Sequence, residues 1–273
     1  MEADIVMAAI KGWLGNRVTR GILKWTVKRD KEGISRLERI IKRYCGMSAS
    51  ISFSEHIAYY FVSFILNRSM GTLTINREEV KRALKEPIVR RGIVNILEGI
   101  AYYGVQRPQT TAAPFLVVWN LTRQCNLRCK HCYENAQPLP AEDELTTEEA
   151  KRVIDEFAKS GVVAIAFSGG EPLLRRDFFE LVKYAKSKEF YISVASNGTL
   201  ITKEIATKLK ESGIDYIEIS LDGFEDVHDN FRGVKGAWKR TVNGIRNCVD
   251  AGIDTCVATT AVSYTHLTLP TKA

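Results

Sequence analysis

The chain has 273 residues, of which 45% are hydrophobic and 26% are charged, and its formal net charge is +7. These values are typical of a globular protein with one sizeable domain and a smaller one, and they exclude a disordered tail or a fibrous protein. Much of the positive charge lies in the first 45 residues, where it indicates a solvated helix face more readily than a surface for nucleic acid, an anionic membrane or an acidic partner.

The amino-terminal sequence predicts a cytoplasmic protein. Acidic residues stand where a signal peptide carries positive charge, and no long apolar run follows them. The longest apolar stretch, residues 56–66, is shorter than the roughly 20 residues of a membrane-spanning helix. We therefore expect no membrane span and no nucleic-acid partner, while contact with a membrane surface remains open but is not favoured.

Residues 1–110 are predicted to form a helical N-terminal region, because apolar residues recur there at helical spacing with basic residues between them. Residues 77–85 and 89–101 show the same pattern. The favoured role of this region is packing against the next domain, and the alternative is docking on lipid or on a partner through Trp13, Trp25 and the basic residues. A polar connector with two prolines then marks a domain boundary.

From residue 115 onward, short runs rich in valine and isoleucine alternate with amphipathic helical segments. This alternation predicts an α/β fold in which parallel strands are joined by crossover helices, closing as a partial (β/α) barrel over residues 111–262. Five strands and four complete connecting helices are expected. Thr146 and Glu149 form a predicted capping box, and predicted helix ends fall at Gly161, Gly213 and Gly252. The active site of such a barrel lies at the carboxyl ends of its strands.

Three of the six cysteines, Cys125, Cys129 and Cys132, lie close together directly after the first predicted strand. In a reducing cytoplasm such a group indicates metal binding, because disulfides do not persist there. Three thiolates can hold three irons of a [4Fe-4S] cluster and leave the fourth iron open to an exogenous ligand. A structural zinc site, with His131 or a distant residue as fourth ligand, would normally pair two short cysteine motifs, and a ferredoxin-like carrier would need a fourth cysteine. The scattered cysteines are expected to be buried in the core: Cys45, Cys248 and Cys256.

The segment CNLRCKHC at the end of a first strand resembles the signature of the radical S-adenosylmethionine (SAM) superfamily. The resemblance covers residues 115–261 and leaves the helical N-terminal region outside it. The position before the third cysteine is often aromatic in the family, whereas here it is His131, and Tyr133 follows the cysteine. The resemblance implies that one of these two side chains flanks the adenine of SAM.

The second strand ends in AFSGGEP, which is similar to the GGEP motif of the family. That motif implies that the methionyl amine of SAM is held by Gly169, Gly170, Glu171 and Pro172. Glycine has no side chain to keep a ligand away from the backbone. Taken alone, the two glycines indicate only a turn, and their position one βα unit after the cysteines favours the binding role.

The third and fourth strands end in SNGT and SLDG, and HDNFRG follows the second of these segments. By resemblance, Ser196 and Asn197 lie near the ribose and methionine of SAM, although Asn-Gly is also a common turn. The pairing of SLDG with HDNFRG is similar to the SPASM-type subgroup, which carries an additional cluster-binding domain. Ser220 and Arg232 are candidates for the SAM carboxylate, which a guanidinium can bind in bidentate fashion. Asp222 is a further candidate that could equally cap a loop.

The resemblance implies an enzyme whose cofactors are a [4Fe-4S] cluster and SAM. An external low-potential electron donor reduces the cluster, SAM is cleaved, and the resulting 5′-deoxyadenosyl radical takes a hydrogen atom from a peptide or small-molecule substrate such as a cofactor precursor. No catalytic residue is assigned beyond the cluster ligands. An alternative from another class is a zinc-stabilised binding module with a basic helical front.

The final segment, VSYTHLTLPTKA, neither completes the fifth unit with a helix nor begins a sixth strand. It resembles translated sequencing-adapter DNA, so residues 263–273 are expected to be a non-native tail, with a genuine threonine-rich tail as the less favoured alternative. The barrel is then truncated and lacks its last strand and any auxiliary cluster domain. Such a fragment is expected to bind SAM weakly and can be inactive.

Overall fold

The computed structural model describes residues 17–72 and 76–260. The chain divides into two compact units, one formed by residues 1–117 with 152–164 and the other by residues 118–151 with 165–273. Trp13 and the predicted tail at residues 263–273 lie outside the described residues.

The first unit is helical, as the apolar spacing predicted. The described helices that precede the sheet are α1 (Arg17–Val27), α2 (Arg36–Tyr44), α3 (Phe53–Thr72), α4 (Arg77–Lys85) and α5 (Pro87–Tyr103). Buried apolar side chains on four of these helices, including Val27, Leu37, Leu84 and Val94, form a shared core. Helix α4 begins and ends where the sequence pattern predicted. Among the described helices, none combines the length and apolar character that crossing a bilayer requires.

The strands form one sheet whose order follows the sequence. They are β1 (Leu116–Asn120), β2 (Ala164–Ser168), β3 (Tyr191–Ser196), β4 (Tyr216–Ser220) and β5 (Asp254–Ala258). Strand β4 pairs in parallel with β3 on one side and with β5 on the other. This topology confirms the predicted α/β fold with a partial (β/α) barrel. The carboxyl ends of parallel strands share one edge, which is where such folds place their active sites.

The connecting helices of the sheet include all those predicted and one that was not. The predicted helices are α6 (Thr147–Ser160), α7 (Phe178–Ser187), α8 (Lys203–Ser212) and α10 (Ala237–Asp250), and the additional helix is α9 (Glu225–Arg232). Helix α9 has only 8 residues, which is too few for a helical repeat of apolar residues to be recognised. It ends at Gly233, which has a left-handed conformation with φ of 73°.

The predicted helix ends are confirmed. The backbone N–H of Thr146 donates to the Glu149 carboxylate over 3.0 Å, and the N–H of Glu149 donates to the Thr146 hydroxyl over 3.3 Å, which is a capping box. Gly161, Gly213 and Gly252 have φ angles of 89°, 88° and 69°, the left-handed conformation expected just beyond a helix.

The scattered cysteines do not all lie in the core. Cys45 and Cys248 are buried, as predicted, whereas Cys256 is exposed, so that prediction was wrong. Cys256 belongs to β5, which is the edge strand of the described sheet and therefore has a neighbouring strand on one side only. Reduced packing at the sheet edge explains the exposure.

Candidate active site

A cavity of about 490 Å³ lies at the carboxyl ends of the strands in the second unit. Its volume is within the range of sites that enclose small ligands, roughly 300–1,000 Å³. Most of the residues predicted to bind a cluster or SAM line it: Cys125, Cys129, Cys132, Tyr133, Gly169, Gly170, Ser196, Asn197, Ser220 and Arg232. Thr259 and Thr260 also line the cavity, although they were not predicted from the sequence. Their position directly after the fifth strand is the signal that could have identified them.

The loop that carries the cysteines is fixed by its own backbone. The N–H of Cys125 donates to the carbonyl of Gln137 over 2.7 Å, and the N–H of Gln137 donates to the carbonyl of Arg123 over 2.9 Å. A further bond of 3.2 Å joins the N–H of Cys132 to the carbonyl of Cys129. These bonds fold the loop back on itself, so that its three cysteines border the same cavity.

Each of the three sulfur atoms accepts a hydrogen bond. The donors are the N–H of Leu127 to Cys125 (3.4 Å), the Arg232 guanidinium to Cys129 (3.7 Å) and the N–H of Ala136 to Cys132 (3.5 Å). Hydrogen bonds to the charged form of a group favour that form. These hydrogen-bond donors therefore favour the thiolates, the form that binds metals.

Burial opposes ionisation of two of these thiols. It is the main cause that raises the pKa of Cys125, with smaller contributions from the charges of Glu171 and Cys129. Burial also raises the pKa of Cys129, where Arg232 acts in the opposite direction and Cys132 adds to the rise. Binding of a metal would release the protons of these thiols.

The donor set fits an iron-sulfur cluster. Within residues 17–72 and 76–260, no group of three or more His, Cys, Asp or Glu side chains is placed to hold a single metal ion. A cubane cluster needs a different arrangement, because each thiolate binds its own iron at a separate corner. Three thiols that border one cavity, each with a hydrogen-bond donor at its sulfur, meet that requirement.

The glycine pair lies against the segment that enters the cysteine loop. The N–H of Gly170 donates to the carbonyl of Thr122, and the N–H of Glu171 donates to the carbonyl of Gln124, both over 2.7 Å. A Cβ atom on Gly169 would overlap the carbonyl oxygen of Thr122, and one on Gly170 would overlap that of Gln124. Glycine is therefore required here for close approach of two backbones, in addition to the predicted access for a ligand.

Glu171 is fully buried and is not among the residues that line the cavity. Its carboxylate accepts hydrogen bonds from the Ser196 hydroxyl (2.9 Å) and from the backbone N–H groups of Asn197 (2.8 Å) and Leu173 (3.2 Å). The buried carboxylate therefore helps to hold Ser196 and Asn197, which line the cavity, in place. Pro172 is also buried, at the start of a short 3-10 helix, Pro172–Leu174. The expected contact of these two residues with the amine of SAM stays a prediction.

Burial raises the pKa of Glu171 to about 7, against the effect of its hydrogen bonds. A carboxyl group whose pKa is raised by folding stabilises the fold below its unfolded value and loses that contribution as pH rises through the folded value. The Glu171→Gln variant cannot ionise at this position. As pH rises from 5 to 8, we therefore expect its free energy of unfolding to increase relative to that of the wild type by about 2–3 kcal/mol. Urea unfolding of the metal-free proteins at both pH values measures the difference, and a difference independent of pH would contradict it.

The loop after β3 contacts the cysteine loop through amide side chains. The Asn197 side-chain amide donates to the Asn126 side-chain oxygen over 2.9 Å and also approaches the sulfur of Cys125 at 3.9 Å. The Asn126 amide in turn donates to the hydroxyl of Thr199 over 2.8 Å. Asn126 was not predicted from the sequence, although its place between the first two cysteines could have indicated a role in ordering the loop.

Asp222 is buried and binds Arg232 instead of lining the cavity. One carboxylate oxygen accepts from both Nε (2.7 Å) and Nη2 (2.6 Å) of the guanidinium.

The two candidates for the adenine contact, His131 and Tyr133, both line the cavity. His131 stacks on Phe231 at 4.3 Å between ring centroids, whereas Tyr133 is 79% exposed. Tyr133 is therefore the more accessible of the two aromatic surfaces.

Comparison with known proteins identifies the family of the chain. The family model of the radical SAM superfamily matches residues 119–270. Fe-coproporphyrin III synthase of Methanosarcina barkeri is 49% identical over 138 residues, which make up 50% of this chain and 35% of that protein. Mycofactocin maturase MftC of Mycolicibacterium smegmatis is 39% identical over 141 residues, or 51% of this chain and 36% of that protein. The matched segment thus spans little more than a third of each of these relatives.

A solved structure shows a similar fold over a larger part of the chain. SuiB of Streptococcus suis, crystallised with its precursor peptide SuiA, superposes with a TM-score of 0.53 at 15% sequence identity. The superposition covers 82% of this chain and 49% of SuiB. At this identity the likeness concerns the fold alone.

Proposed function

The chain belongs to the radical SAM superfamily, and from this membership we propose that Cys125, Cys129 and Cys132 hold a [4Fe-4S] cluster at which SAM binds. Members of the family use this cluster together with SAM. The observation that carries the proposal is that these three thiols and the glycine pair border one cavity at the carboxyl edge of the sheet. The same match favours the enzyme over the zinc-stabilised binding module.

When bound, the cluster supplies an electron that cleaves SAM to methionine and a 5′-deoxyadenosyl radical. The residues of the chain bind and orient the two groups. The backbone at Gly169 and Gly170 borders the cavity, and its carbonyl groups are the proposed acceptors for the methionyl amine. Ser196, Asn197 and Ser220 add polar side chains at the same edge.

The contacts around these residues support specific positions for SAM. Glu171 binds the Ser196 hydroxyl and the backbone N–H of Asn197, and the Asn197 side-chain amide binds Asn126, so that both side chains are held in place before a ligand arrives. Arg232 lines the cavity and carries a guanidinium suited to the carboxylate of SAM. Tyr133 offers an exposed ring to the adenine.

The substrate class is a peptide or a cofactor precursor. Fe-coproporphyrin III synthase, a relative at 49% identity, is named for a porphyrin product, and SuiB, which shares the fold, was crystallised with a precursor peptide. The pairing of SLDG with HDNFRG favours the SPASM-type subgroup. A cluster at the low end of the biological range of potentials needs an external low-potential donor, and a reducing cytoplasm suits it.

Anaerobic reconstitution with iron and sulfide tests this function. We expect about four irons and four sulfides per chain, and reduction in the presence of SAM should yield 5′-deoxyadenosine and methionine, measured by liquid chromatography with mass spectrometry. A protein that instead holds one tightly bound zinc and leaves SAM intact would support the binding module and overturn the proposal.

A further inference from the structure

The cysteine loop is hydrogen-bonded to the last turn of α9. The backbone N–H of Arg128 donates to the carbonyl of Arg232 over 3.0 Å, and the N–H of Lys130 donates to the carbonyl of Phe231 over 2.9 Å. Carbonyl groups in the last turn of a helix have no partner within the helix. Here the cysteine loop supplies the missing donors, on both sides of Cys129.

Side chains reinforce this contact between helix and loop. The Lys130 ammonium donates to the Asn230 side-chain oxygen over 2.8 Å, and the His131 ring stacks on that of Phe231 with only 5° between the ring planes. A Cβ atom on Gly233 would overlap the carbonyl oxygen of Arg128, so the backbone that follows α9 lies directly against the cysteine loop. The loop around Cys129 is thus held by consecutive residues of α9.

Arg232 connects the last turn of α9 to the sulfur of Cys129. Two nitrogens of its guanidinium bind Asp222, and the third, Nη1, donates to the Cys129 sulfur over 3.7 Å. Only 9% of the Arg232 side chain and 4% of the Asp222 side chain are exposed. Solvent and salt therefore screen this guanidinium weakly.

Asp222 is itself fixed from two sides. Its backbone N–H donates to Nδ1 of His228 over 3.1 Å, and its second carboxylate oxygen accepts from the N–H of Thr260 over 2.8 Å. One carboxylate oxygen thus anchors the aspartate and the other orients the guanidinium. These contacts set the position of Nη1 relative to the Cys129 sulfur, so the Arg232 side chain is held and is not flexible.

We propose that Arg232, oriented by Asp222, is a positioning residue for Cys129 that makes the reduction potential of the cluster less negative. The inference rests on the proposed function, because it needs a cluster at Cys129. Reduction adds negative charge to a cluster, and a fixed N–H donor at a ligand sulfur stabilises the reduced form. Asp222 offsets part of the guanidinium charge, but it is the guanidinium that contacts the Cys129 sulfur. This role is separate from a contact of Arg232 with SAM, because it operates when no SAM is bound.

The test compares the reconstituted wild-type chain with its Arg232→Gln and Arg232→Lys variants in the absence of SAM. A redox titration followed by electron paramagnetic resonance gives the midpoint potential of the bound cluster, and chelator challenge gives the rate of cluster loss. We expect a more negative potential for both variants, with the larger shift for Arg232→Gln, and cluster loss about 10-fold faster than in the wild type. Lysine keeps the charge but cannot reach Asp222 and Cys129 together with one planar fork.

Arg246→Gln, on the exposed side of α10, is the matched control and should leave the potential and the rate of cluster loss unchanged. If Arg232→Gln does not fold, as judged by circular dichroism of the metal-free protein, Arg232→Lys decides the result. Wild-type potentials in the Arg232 variants would overturn the inference, even if they lost iron faster, because a purely structural role changes occupancy and not potential. Failure of the wild type to assemble a cluster would instead refute the proposed function.

Discussion

Replacing Cys125, Cys129 or Cys132 with alanine is expected to lower bound iron from about four atoms per chain to near zero after anaerobic reconstitution. Each thiol is the single ligand for one corner of the proposed cluster, so each loss leaves an iron without a protein ligand. Formation of 5′-deoxyadenosine should fall below detection in all three variants. Iron analysis and product quantification measure the two effects.

Cys256→Ala is the control for these variants. Cys256 is exposed on the edge strand and lies away from the cavity lining, so its removal should leave the iron content unchanged and should create no core cavity. Retention of the full iron content by any one of the three loop variants would show that the corresponding thiol is not a cluster ligand. Equal iron loss in the control would indicate unspecific damage to the protein.

Substitution of Gly170 by valine is expected to be the most damaging change outside the cysteines. A Cβ atom would overlap the carbonyl oxygen of Gln124, so the hydrogen bonds from Gly170 to Thr122 and from Glu171 to Gln124 cannot both be kept. Overlap with backbone cannot be relieved by rotating a side chain. We expect a loss of about 2–4 kcal/mol in the free energy of unfolding, and failure of cluster assembly because the cysteine loop moves with its neighbour.

Gly21→Ala provides the comparison for this variant. Apart from the backbone of its own helix, no atom of the described residues lies within 4 Å of the position that its Cβ would take, and Gly21 is inside α1, where alanine favours helix by up to about 1 kcal/mol. Urea unfolding should therefore show unchanged or slightly increased stability for Gly21→Ala and a clear loss for Gly170→Val. Similar stability of the two variants would contradict the close backbone approach at Gly170.

The fold was predictable from the sequence because its signals are local. Alternation of valine-rich runs with amphipathic segments predicted the strands and connecting helices, and the capping box at Thr146 and the glycine at residue 213 marked helix ends correctly. Helix α9 was missed because a helix of 8 residues shows no clear periodicity. The exposure of Cys256 depends on which strand lies at the sheet edge, which no local pattern reports.

Many residues that line the site could be predicted from the sequence, but the contacts that hold them in place could not. Most of the residues that the cysteine spacing and the strand-end motifs selected line the cavity. The burial of Glu171 and the pairing of Asp222 with Arg232 could not be predicted, because both depend on how separate strand ends pack together. The contact of Arg232 with Cys129 joins residues 103 positions apart, a separation at which sequence patterns carry no information on distance.

The central claim is that three thiols leave one iron of the cluster free to bind SAM. Electron-nuclear double resonance of the reduced, reconstituted protein tests it with SAM that carries ¹⁵N at the methionyl amine or ¹⁷O at the carboxylate. We predict hyperfine coupling of both labels to the cluster, because both groups chelate the open iron. A normal cluster signal without coupling to either label would contradict the account.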